Sequence, residues 1–93
     1  MPVIVPLRIT RTKGFLKAYA KLTSDVQDRV DIALRQFAAN PRHPGLHFEK
    51  YKSFRTLRVD QGRWRIAIRD LGDSHYELVD VDRHDRIDRR YSD

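Results

Sequence analysis

Two hydrophobic periods succeed one another along this chain. In the first, "TKGFLKAYAKL" places Phe15, Ala18, Tyr19 and Leu22 at i, i+3, i+4 and i+7, one face of a helix. Thr12 stands where a cap belongs, and Gly14 weakens the first turn. A longer stripe of Val26, Val30, Ala33, Leu34 and Phe37 follows in "TSDVQDRVDIALRQFAAN". Ser24, followed three residues later by Gln27, reads as a capping box. Asp25 and Asp28 lie where the helix dipole favours negative charge, and Asn40–Pro41 ends the run. Only a short connection separates the two helices, which predicts an antiparallel hairpin.

Ahead of the helices, "VIVPLRIT" (Val3 to Thr10) is rich in β-branched residues and reads as a strand. Pro6 assigns it to an edge or a bulge, because proline brings no N–H to the ladder. After the helices, "NPRHPGLHFEKYK" reads as a loop punctuated by prolines and a glycine. The period then changes to alternation in "SFRTLRVD", "RWRIAIRD" and "HYELVDVD", joined by the turns "DQG" and "LGDS". The expected fold is α+β and forms one domain over residues 1–93. It comprises an N-terminal strand, a two-helix hairpin, a three-stranded antiparallel meander in one sheet, and a short C-terminal helical tail. One sheet face buries the helical stripes, and the other is left free to bind.

Alternation also assigns the faces. Trp64, Ile66 and Ile68 point one way, and Arg63, Arg65 and Arg69 the other. Leu57 and Val59 share a face, with Thr56 and Arg58 opposite. A hairpin folded about Gly62 sets Arg58 and Arg65 side by side on neighbouring strands. Like charges in that position destabilise a sheet, so the pair suits a bound anion. Arginines snorkelling on a solvated face give the same pattern.

Composition sharpens this. In 93 residues, 19 Lys and Arg outnumber 13 Asp and Glu, which favours polyanions, nucleic acid first, or an acidic protein partner. The loop before the meander adds Arg42, His43, His47, Glu49, Lys50 and Lys52 around Tyr51. Cations interleaved with aromatics suit single-stranded nucleic acid. The absence of cysteine excludes disulfides, thiolate catalysis and cysteine-ligated zinc. His43 and His47 are four apart but flank Pro44–Gly45 and have no third ligand at a recognisable spacing. Neither a metal nor a cofactor is therefore expected. No apolar run approaches the roughly 18 residues of a bilayer span, and "MPVIVPLRIT" lacks the form of a signal peptide. The expectation is a cytoplasmic protein with no membrane partner.

The tail "DRHDRIDRRY", read as a helix, makes i, i+4 pairs of Asp82–Arg86 and Asp85–Arg89. His84, Ile87 and Tyr91 then share a face that packs on the body of the domain. A histidine at the end of the last strand, near Arg58 and Arg65, has the chemistry of phosphodiester cleavage. Imidazole transfers protons near neutral pH, and arginines stabilise charge on phosphate oxygens.

In order and length, the strand, the helical hairpin, "NPRHPGL", "FRTLRV…GRWRIAI" and "VDRHDRIDRRY" resemble the RelE/ParE superfamily of type II toxins. The resemblance implies a toxin neutralised by a cognate antitoxin. RelE-like members cut messenger RNA on the ribosome without a metal, activating the ribose 2′-hydroxyl against the adjacent phosphate. Arg58 and Arg65 match the basic positions on the paired strands, His84 the terminal histidine of some RNA-cleaving branches, and Tyr91 approximates a C-terminal tyrosine of others. Arg65, His84 and Arg58 are thus the expected catalytic residues. Lys50, Lys52, Arg63, Arg83, Arg86 and Tyr91 are expected to bind RNA or ribosomal phosphates. At Thr56 the RelE pattern would have a further basic residue. The resemblance also admits a ParE-like inhibitor of DNA gyrase that cleaves no RNA, and a toxin-fold protein that only binds.

Overall fold

In a computed structural model, residues 7–40 and 54–91 are described, together with the backbone of 49–51. The elements are β1 (Arg8–Arg11), α1 (Lys13–Ala20), α2 (Ser24–Ala39), β2 (Glu49–Tyr51), β3 (Phe54–Val59), β4 (Trp64–Asp70), β5 (His75–Arg83) and α3 (His84–Tyr91). The strands form one sheet in the order β1-β5-β4-β3-β2. β1 runs parallel to β5 at one edge, and the other pairs are antiparallel. Val3 to Pro6 of the expected first strand, and Arg42, His43, His47 and Lys52, lie outside the described residues.

The α+β arrangement is as read from the periods, with three corrections. Glu49–Tyr51, expected within a loop, is a strand paired to Phe54–Thr56, so the meander has four strands. Three residues are too few for any period to be read. The cap of α2 is Thr23, whose hydroxyl accepts from the Val26 amide at 3.5 Å, and Ser24 is the first helical residue. Gln27 does not close a capping box. Its side chain donates to Tyr19 O at 2.9 Å and, with Tyr19 Oη donating to Asp31 at 2.8 Å, ties α2 to α1. Thirdly, the second sheet face is not left free, because α3 lies across it. Ile87 is fully buried there, and Thr56 and Ala67 are sealed on the face that bears Arg58 and Arg65.

On the other face, Phe15 of α1 and Val30, Ala33, Leu34 and Phe37 of α2 close over Leu57, Val59, Ile66, Ile68, Leu78 and Val81. A bulge makes this possible. Ile68 pairs with Leu78 but Ala67 with Asp80, so Val79 is an extra residue in β5. It resets the alternation, burying both Leu78 and Val81 and turning Asp80 and Asp82 toward α3. The start of α1 sits over the bulge. The Thr12 hydroxyl donates to Leu78 O at 3.0 Å with Val79 O at 3.3 Å, and accepts from the Phe15 amide at 3.1 Å.

Candidate functional site

Strand parity builds the site. Arg58 and Arg65 occupy directly opposed positions in the β3–β4 ladder, on the α3 face. Their guanidinium groups are held differently. Arg58 turns back over the hairpin and donates from Nη2 to Gln61 O at 2.8 Å. The turn permits this because Gly62 has no side chain. With φ at +89°, a Cβ there would stand 2.7 Å from Arg58 Nε. Asp60 and Gln61 also have positive φ, at 51° and 57°, so the turn is tightly wound.

Arg65 reaches α3 instead. Its Nη1 lies 3.6 Å from Asp88 Oδ1, and the other oxygen of that carboxylate is 3.8 Å from His84 Nδ1. One carboxylate thus faces both Arg65 and His84. The histidine follows β5 directly, its amide donating to Arg63 O at 3.0 Å, and its side chain is 53% exposed. A 720 Å³ cleft opens beside it, lined by Asp60, Arg63, Trp64, Arg83, His84 and Asp85 among others. Arg83 lies 5.7 Å from the Trp64 ring centroid, a cation–π geometry.

The structure therefore brings Arg65 to His84 through Asp88, and Arg63 and Arg83 to His84 around the cleft. Arg58 is directed to the turn, where it lines a groove with Arg29, Ile32 and Asp60. Arg86 pairs with Asp82 at 3.6 Å, and Arg89 with Asp85 at 4.0 Å, the two helical pairs expected of the tail. Tyr91 packs its ring 4.8 Å from Phe54 and donates its hydroxyl to Asp80 Oδ2 at 3.0 Å. Burial first, and then the Asp80 charge, push this phenol up to about 12. The side chain of Lys50 lies outside the described residues, as does Lys52.

Two residues were missed. Asp88 is four residues after His84, a spacing that could have been read as a helical pair. Arg90 binds Asp80 at 2.8 Å and Asp82 at 2.9 Å, clamping α3 to β5, and the hydrogen bond to Asp80 holds its pKa above the ordinary arginine value. Nothing local in the sequence announces that contact. Among the described residues, no helix is long and apolar enough to cross a membrane.

The sequence matches no protein-family model and no curated protein. Its structure is similar to solved ones. The RelE–RelB complex of Pyrococcus horikoshii aligns with a TM-score of 0.62 at 17% identity, covering 87% of this chain and 98% of that one. The RelB–RelE antitoxin–toxin complex of Methanococcus jannaschii gives 0.62 at 20% identity, covering 84% and 93%. The isolated E. coli RelE toxin gives 0.63 at 14% identity, covering 83% of each chain. At such identities the likeness is one of architecture. The chain has the RelE toxin fold.

Proposed function

We propose that the chain, as one domain over residues 1–93, is the toxin of a type II toxin–antitoxin pair and a metal-independent, ribosome-dependent mRNA endonuclease. The observation that carries this reading is Asp88, which faces both Arg65 and His84. A phosphate-binding cation and a proton-transfer group are thereby held on one side of the sheet. With Nδ1 turned to Asp88, the His84 ring stays about half exposed. In the proposed reaction the ribose 2′-oxygen attacks the adjacent phosphorus, its proton is removed, and the 5′-oxygen leaves protonated. His84 performs one of those proton transfers. Arg65, with Arg58 swung from the turn, stabilises charge on the phosphate oxygens. Arg63 and Arg83 at the cleft, and Lys50, Lys52, Arg86 and Tyr91, hold RNA or ribosomal phosphates. Support comes also from the similar structures, whose proteins are RelE toxins and their complexes with RelB. A cognate antitoxin is the proposed protein partner, and the ribosome with its mRNA the target.

One observation favours a second reading, a toxin-fold protein that binds without cutting. Thr56 stands where the RelE pattern has a basic residue, and it is sealed beneath α3. Induced expression without an antitoxin separates the readings. Growth arrest with cleavage of messages at the ribosomal A site supports the endonuclease. Arrest with gyrase-linked DNA breaks and intact messages points to a gyrase inhibitor, and no arrest to a binding protein.

A further inference from the structure

Phosphate contacts alone do not account for the composition of the cleft beside His84. Its apolar lining is Val26 and Trp64, and among the described residues Trp64 is the one aromatic ring in it. Tyr91, the aromatic expected to meet RNA, is engaged elsewhere, by the Phe54 ring and by Asp80. Trp64 opens β4 directly across the ladder from Arg83 of β5, so the two side chains stand on one face. The ring packs against the core and still borders the cleft, which fixes its place without a ligand.

The two arginines of the cleft differ from those of α3. Arg86 faces the carboxylate of Asp82, Arg89 that of Asp85, and Arg90 those of Asp80 and Asp82. Arg63 and Arg83 face none among the described residues, although Asp60 and Asp85 line the same cleft. Asp60 is held at 3.2 Å by Arg29, and Asp85 lies 4.0 Å from Arg89, both arginines standing outside the lining. The cleft's own cations are thus left uncompensated, one of them against the tryptophan. An anion that carries a flat aromatic group matches that combination. Asp85, with the longer ion pair, keeps more of its capacity to accept from such a group.

We infer that this cleft is a guanine subsite, taking the base of a nucleotide beside the scissile phosphate. The base stacks with Trp64 and Arg83, a phosphate of the same strand meets Arg63, and Asp85 accepts from the edge of the base. That last contact sets the selectivity. The Watson–Crick edge of guanine carries two adjacent donors, N1–H and N2–H, which one carboxylate accepts together. Adenine, cytosine and uracil each set an acceptor beside a donor there, and that acceptor would face the carboxylate unpaired. The volume of 720 Å³ falls within the roughly 300–1,000 Å³ of small-molecule sites. The inference deepens the endonuclease reading and rests on it for placing the base beside the cut.

Trp64 is the only tryptophan of the chain, so its fluorescence and its indole N–H resonance report on this subsite alone. The full chain is titrated with guanosine, adenosine and uridine 5′-monophosphates. Guanosine monophosphate should quench the fluorescence saturably and shift the indole signal, with the other two binding about tenfold more weakly or worse. Asp85→Asn should lower guanosine monophosphate to the level of adenosine monophosphate and leave the latter unchanged. Arg83→Gln should weaken all three alike, by about fivefold or more. Both positions are exposed, so neither variant threatens the fold. Four results would overturn the inference: no change at the indole, equal affinity for the three nucleotides, a guanine preference that survives Asp85→Asn, or inorganic phosphate reproducing the indole shift. Cleavage is compared separately on stalled messages that differ in a single base beside the cut. Faster cutting next to guanine, lost in Asp85→Asn, supports the inference. A chain that binds guanosine monophosphate at Trp64 but cuts no RNA keeps the guanine site and loses the endonuclease reading. One that cuts RNA with no guanine preference loses the inference and keeps that reading.

Discussion

Arg58 and Arg65 stand directly opposite one another in the β3–β4 ladder, yet their guanidinium groups go to different partners, Arg58 to the Gln61 carbonyl and Arg65 to the Asp88 carboxylate. Two like charges at opposed positions of a sheet are thereby drawn apart. Neither partner is permanent by construction. A turn carbonyl and a partly exposed carboxylate are both groups that a phosphate could replace.

Gly62 should matter through Arg58. Gly62→Ala carries the cost of a positive φ, about 1 kcal/mol or more, and also drives its methyl into the Arg58 guanidinium. Gly72 has a similar φ of +85° with nothing near its absent side chain. Denaturant unfolding of the two alanine variants should therefore show Gly62→Ala as the more destabilised. Equal losses would mean that moving the Arg58 guanidinium off the turn costs nothing.

Ile87 anchors α3. Its side chain is completely buried on a sheet face whose rim is polar, so Ile87→Ala should cost roughly 2–5 kcal/mol if α3 stays docked. If α3 instead detaches, the loss is capped at the docking energy and amide exchange across α3 becomes fast. An exposed residue such as Arg89 gives the contrast, because Arg89→Ala should change stability by no more than about 0.5 kcal/mol.

Tyr91 makes the docking of α3 sensitive to alkali. Its phenol is raised from the ordinary value of 10.0 to about 12 in the folded chain. Below the unfolded value both states hold the proton and the contribution is complete. As pH rises through that value toward the folded one, the unfolded chain ionises first, and stability is lost. Unfolding followed from pH 9 to about 12 should show a decline that Tyr91→Phe reduces. Burial and the hydrogen bond to Asp31 also raise the Tyr19 phenol, so phenolate absorbance should show late-titrating tyrosine in the wild type and one late phenol fewer in the variant.

Asp88 links the two groups on which cleavage depends in this account. Asp88→Asn keeps the shape and removes the charge facing both Arg65 and His84. Cleavage on the ribosome should fall by about ten- to a hundredfold with folding unchanged. An unaffected rate would leave Asp88 as only a helix-docking residue.

Much of this geometry could be read in advance, for physical reasons that differ from residue to residue. The pairing of Arg58 with Arg65 followed from parity and a turn at Gly62, both local properties. The stripe from Val30 to Phe37 followed from helical period. The bulge at Val79 was not read, although Leu78 and Val81, both apolar and three apart, do break strict alternation. The strand Glu49–Tyr51 draws its order from β3 rather than from its own residues. Asp88 was hidden because the Arg and Asp alternation of the tail is ordinary helical pairing at Asp82–Arg86 and Asp85–Arg89. The same alternation places a third carboxylate where it meets Arg65, and only the sheet shows which one.

The central claim is tested most directly by adding the purified chain to ribosomes stalled on a defined message and mapping the RNA ends. The account predicts cuts at the A site leaving a cyclic phosphate. His84→Ala and Arg65→Ala should each slow them by about a hundredfold or more, while remaining folded. Intact message with the wild-type chain, or undiminished cutting by both variants, would contradict it.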